Sequence, residues 1–173
     1  HVENSKSGLR VALLLSVATT LRHKNQFEEA IKYYKQALEF LDSVPNPFIQ
    51  SVAFFDVGNT YLMMGNLSVA EENINNALHL AEQSENLWQQ AKCYELLSQL
   101  ADEQYQYEKA LSYHRRFHEL QRSAIGKDKS EQMQQLRASY EIDMAQKEAE
   151  LLRVQTEELE QQVRQRTNAL EMA

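Results

Sequence analysis

FFDVGNTYLMMGNLSVAEENINNALHL, residues 54–80, decides the fold. Apolar residues recur every three or four positions on each side of Gly65, as in two amphipathic helices joined by a short turn. Small residues punctuate both halves, Gly58 in the first and Ala70 and Ala77 in the second. Such positions let two helix backbones approach, and bulky neighbours such as Phe54, Tyr61 and Ile74 fill the space around the contact.

The same arrangement occurs on either side of this stretch. Ala30, Ala70 and Ala110 stand 40 residues apart, and around them Leu14, Phe54 and Tyr94 share a column. So do Val17, Val57 and Leu97; Ala18, Gly58 and Ser98; Leu21, Tyr61 and Ala101; and Phe27, Leu67 and Tyr107. Tyr34, Ile74 and His114, then Ala37, Ala77 and Phe117, complete the pattern. Three helical hairpins are therefore predicted, at about residues 11–44, 51–84 and 91–124. The columns resemble the tetratricopeptide repeat (TPR), in the variety whose helices exceed the basic unit of about 34 residues. Gly58, Tyr61, Gly65, Ala70 and Ala77 all stand in family positions, whereas Ala18 and Ser98 replace the glycine and Phe117 replaces the last alanine. HEAT repeats have a similar period but no reason to place small residues at these offsets. The resemblance implies an all-α solenoid over residues 1–127 that offers an extended concave surface rather than a closed catalytic pocket.

Composition agrees with an ordinary packed domain, at 173 residues and 43% hydrophobic content. No apolar run approaches the eighteen or so residues that cross a bilayer. Cys93 is the one cysteine, so an internal disulfide is excluded and a cytoplasmic location is expected. A net charge of −7 disfavours general nucleic-acid binding, and the cluster Arg115, Arg116, His118 and Arg122 reads as a solvated face offset by neighbouring acids. Pro45, Pro47, Gly65 and Gly126 fall at expected interruptions, and Asn25 aligns with Gly65. The chain starts at His1 and stops at Ala173 inside a helical pattern, and is read as a piece of a longer protein.

From about Asp128 the period of 40 stops and one long helix, residues 128–173, is predicted. A heptad seam runs through Ala138, Ile142, Ala145, Ala149, Leu152, Thr156, Leu159, Val163, Arg166, Leu170 and Ala173. So thin a stripe needs a second helix, and a homodimeric coiled coil is the expected solution, with Ile142, Ala145, Ala149, Leu152, Leu159, Val163 and Leu170 in the interface. A second stripe, Met133, Leu136, Tyr140, Met144 and Leu151, is expected to cap the third hairpin. QQLRASYEIDMAQKEAELL (residues 134–152) is similar to the segment following TPRs in bacterial signalling proteins, and LEQQVRQRTNAL (residues 159–170) to signalling helices leading into diguanylate cyclase or histidine kinase domains. That resemblance implies a bacterial cytosolic sensor module, itself not an enzyme, relaying a signal to an output domain beyond Ala173; a passive scaffold is the alternative.

In the TPR family the first helix of each hairpin lines the groove. The resemblance implies that Arg22, Phe55, Asn59, Lys92 and Gln99 meet a peptide or protein segment, with Leu15, Thr19, Leu62, Glu95 and Asp102 beside them. The Asn59 amide, both donor and acceptor, suits the backbone of an extended peptide, and Lys92 suits a carboxylate. His114 and His118 have a two-histidine metal spacing, but their columns hold packing residues elsewhere, Tyr34 and Ile74, then Leu38 and Leu78. They are expected to pack half-buried, so no metal and no cofactor is expected. Phe117-His118-Glu119-Leu120 only superficially matches a kinase phosphoacceptor box, Cys93 lacks the basic surroundings of an activated thiol, and no phosphate loop or nucleophile elbow occurs.

Overall fold

In the computed structural model, which describes residues 2–43 and 45–171, six helices follow one another: α1 (Val2–His23), α2 (Phe27–Ser43), α3 (Pro47–Met63), α4 (Leu67–Gln83), α5 (Leu87–Glu103) and α6 (Tyr107–Glu171). Among the described residues there is no strand. Three helical hairpins, α1/α2, α3/α4 and α5 with the start of α6, form the TPR-type solenoid. The starts of α3 and α5 are written locally. Asn46 Oδ1 accepts from Ile49 N–H at 3.1 Å and Pro47 takes the first helical turn, where its missing N–H is harmless. Asn86 Oδ1 accepts from Gln89 N–H at 2.9 Å.

Each hairpin turns through a left-handed residue in the same column, Asn25 (φ 58°), Gly65 (φ 77°) and Tyr105 (φ 61°). The following residue closes the helix by donating five positions back, Gln26 to Leu21 and Asn66 to Tyr61 at 2.9 Å, and Gln106 to Ala101 at 2.8 Å. Asn25 and Gly65 fit this backbone, whereas Tyr105 carries an aromatic ring into it.

Packing follows the columns. A Cβ on Gly58 would lie 2.7 Å from Ile74 Cγ1 and 3.2 Å from the Ala70 carbonyl oxygen, so that glycine is where α3 and α4 touch. At the equivalent contact in the third hairpin, Ser98 Oγ donates to the Ala110 carbonyl at 2.9 Å. Buried Ser51 ties α3 to α4 by donating to the Ala77 carbonyl at 2.7 Å. Hairpin joins hairpin through two clusters: Ala18, Ala30 and Tyr34 receive Val57, and Ala70, Ile74 and Ala77 receive Cys93, Leu96, Leu97 and Leu100. The first hairpin shows the same face uncovered. Leu9, Leu13 and Val17 are 64%, 59% and 42% exposed, while Ala53 and Val57, the column partners of the last two in α3, are 0% and 3%.

The chain divides into two units, His1–Ile125 and Gly126–Ala173. Instead of a separate helix starting near Asp128, α6 is assigned continuously through Gly126. One glycine costs a helix interior about 1 kcal/mol, and the helix-forming run around it outweighs that. Within the second unit, Met133, Leu136, Tyr140 and Met144 of the second stripe are exposed. Both expected stripes are narrow, and a single helix shelters neither. On the seam, Ile142, Ala145, Ala149 and Leu152 are exposed; Leu159, Val163 and Leu170 belong to α6, but their side chains, like that of Leu151, lie outside the described residues. Lys147–Asp143 (2.7 Å), Arg153–Glu150 (3.4 Å) and Arg153–Glu157 (3.6 Å) pair along the helix surface off the seam.

Candidate functional site

α3 lies between α1 and α5 and touches both, which places the first helices of the three hairpins side by side. Arg22 comes from the last turn of α1, Phe55 and Asn59 from α3, Lys92 and Gln99 from α5. Phe55 and Leu62 are half-buried and reach the core around Ile74 and Leu97, so they serve packing as well as surface. Asn59 is half-buried and its amide makes no hydrogen bond among the described residues.

Arg22 is ion-paired across the first two hairpins. Its guanidinium lies 3.6 Å from Asp56 Oδ1, and the two side chains are only 12% and 16% exposed. Beside them the buried Tyr34 hydroxyl meets Thr19 Oγ1 at 3.1 Å. Burial pushes the Asp56 carboxyl above its ordinary value, while Arg22, then Lys92 and His23, pull it down. Burial likewise raises the Tyr34 phenol, against the Thr19 hydrogen bond. Thus Arg22, Asp56, Tyr34 and Thr19 form one half-buried polar cluster joining the first two hairpins, with the exposed Lys92 acting on it electrostatically from the third.

Asp56 was missed from sequence because its column, Ser16, Asp56 and Leu96, has no common chemistry. The available signal was a carboxylate inside the apolar run 52–58, which requires a partner when buried. Gln99 belongs to a different place, an open hollow of about 330 Å³ shared with Ser98, Asp102, Ala110, Leu111 and His114. A larger hollow of about 670 Å³, also unforeseen, is bordered by Tyr94, Tyr113, Leu111, Arg115, Arg116 and Glu119 among others. In it Arg116 pairs with Glu119 at 3.1 Å, as the offset-charge reading of the basic cluster expects.

The histidine expectation is overturned. His114 and His118 are exposed, not half-buried, although Tyr34 and Ile74 in the column of His114 are 0% exposed and Leu38 and Leu78 in that of His118 are half-buried. Tyr34 and Ile74 are covered by the first helix of the next hairpin, and within His1–Ile125 no further hairpin follows the third. Cys93 is buried, and its thiol is pushed up to about 12 by that burial, with Glu82 adding and Lys92 opposing. No group of three or more His, Cys, Asp or Glu is placed to hold a metal ion among the described residues. Nor is any helix there long and apolar enough to cross a membrane.

Residues 8–83, the first two hairpins, match the family model described as tetratricopeptide repeat. Among solved structures, the TPR domain of Arabidopsis FLU superposes with a TM-score of 0.61 at 17% identity, over 68% of this chain and 98% of that one. BtubC (BKLC) from P. vanneervenii gives a TM-score of 0.61 at 16% identity, over 67% of this chain and 48% of that one. At these identities the likeness concerns the fold, and this chain spans about half the length of BtubC. No curated protein matches the sequence.

Proposed function

We propose that this TPR-type solenoid binds an extended peptide or protein segment along the α1/α3/α5 face, within a dimeric sensor module that relays binding to an output domain. The observation that carries the reading is half-buried Asn59, whose amide has no hydrogen-bond partner among the described residues, one helical turn after half-buried Phe55 on α3, with exposed Lys92 on the adjoining α5. An amide of this kind offers donors and an acceptor to a peptide backbone, while the neighbouring ring and cation supply side-chain selectivity. The half-buried Arg22–Asp56 pair joins α1 to α3 and so serves to fix the groove.

Dimerisation rests on the exposed seam through Ile142 and Leu152, continued in sequence by Leu159, Val163 and Leu170. Ligand affinity that differs between two arrangements of the paired helices would shift their populations, which is all a relay requires. The sequence likeness of residues 134–170 to signalling helices supports a bacterial cytosolic context and a diguanylate cyclase or histidine kinase output. Selection of a random peptide display library on the purified chain tests the groove. Peptides enriched on the wild type and lost on both Asn59→Ala and Lys92→Glu support it; enrichment indifferent to both substitutions refutes it. Sedimentation tests the relay separately: a concentration-dependent dimer that Leu159→Asp abolishes is expected, and a monomer well above micromolar concentration removes it. Assembly lost without any change in ligand-dependent output of the parent would identify a passive scaffold.

A further inference from the structure

His114 and His118 lie one turn apart on α6, and their Nε2 atoms are 3.1 Å apart with the rings nearly perpendicular at 86°. Two neutral imidazoles this close share a single proton between those nitrogens, one ring donating and the other accepting. The span has a second meaning. Two nitrogens bound to a common ion at about 2.0–2.1 Å and separated by 3.1 Å subtend about 95–102°, between the right angle of square-planar or octahedral ligation and the tetrahedral angle, so one ion can bridge them in cis.

We propose that His114 and His118 form a surface site for a divalent transition-metal ion of the copper or nickel type, bound in cis by both Nε2 atoms. Imidazole suits these ions, and the affinity order of divalent metals places copper and nickel above the earlier ones. Both rings are exposed, so no packing has to be broken for an ion to enter. The nearby cations are partly spoken for: Arg116 is paired with Glu119 at 3.1 Å, and Arg122 Nε donates to the His118 carbonyl at 3.3 Å. No third protein ligand is placed beside the pair among the described residues, so water completes the shell and the ion is exchangeable.

The test is titration of the full chain with CuCl2 and with NiCl2, followed by calorimetry and by copper electron paramagnetic resonance. The reference protein carries His1→Ala, which removes a competing imidazole. One equivalent of copper with coupling to two equivalent nitrogens is expected, and His114→Gln or His118→Gln should each weaken binding roughly tenfold or more. His79→Gln, at a ring on α4 hydrogen-bonded to Gln83 of the same helix, should leave binding unchanged. Affinity and nitrogen coupling that survive either His114→Gln or His118→Gln overturn the proposal, as does the absence of binding to the reference protein. Unchanged helical circular dichroism shows that the variants fold, which the exposure of both rings makes the expected result.

Discussion

Tyr105 is 78% exposed and holds a φ of 61° where the other hairpins place asparagine and glycine. Its ring makes an edge contact with Tyr107, 6.4 Å between centroids. Left-handed backbone costs a non-glycine residue about 1–2 kcal/mol, so Tyr105→Gly should stabilise the chain by about 0.5–1 kcal/mol after the entropy of glycine in the unfolded state is counted. Urea midpoints check this. Gly58→Ala has the opposite sign, about 1–3 kcal/mol destabilising, because its Cβ meets Ile74 and the Ala70 carbonyl oxygen. At Asp56 the folded carboxyl is raised above its ordinary 3.8, so the folded protein binds that proton more tightly than the unfolded chain. Its contribution to stability therefore falls as pH climbs from about 4 through the raised value, and Asp56→Asn should flatten the stability profile there. The Cys93 thiol, pushed up to about 12, should resist iodoacetamide until the protein unfolds, as mass spectrometry would show. At this scale Gly58 and Asn25 were legible because their columns repeat. Asp56 was not, because its partner Arg22 lies in another hairpin and no repeat of the pair exists.

Helix ends give sharper expectations than helix interiors. Asn46→Ala and Asn86→Ala each remove a side-chain acceptor from the first turn of α3 or α5 and should cost about 1 kcal/mol. Asn66, before α4, makes no such bond, so Asn66→Ala should be nearly neutral; thermal melts of the three variants separate the cases. The hairpin helices were readable from alternating bulky and small residues, but the start of the long helix was not. Gly126 reads as an interruption in a one-dimensional pattern, while the backbone absorbs it within α6. The histidines were misread for a related reason: a column predicts burial only where a neighbouring hairpin exists to cover it.

At the scale of the whole first unit, neighbouring hairpins support one another, so stability is shared along a line. Within the first unit, amide exchange should be slowest in α3, α4 and α5, which carry most of the buried core, and faster in α1. The candidate groove was legible as a set of helix faces because the repeat dictates which helices line it. Which of its charges stay free was decided by contacts between hairpins, and Arg22 is spent on one of them. The bare stripe of Leu9, Leu13 and Val17 has an engineering corollary. A duplicated α3/α4 pair with its turns, spliced ahead of α1, would seat its second helix on those three side chains as α2 seats on Ala53 and Val57. The tower would gain a storey and a higher melting temperature with every original residue left in place.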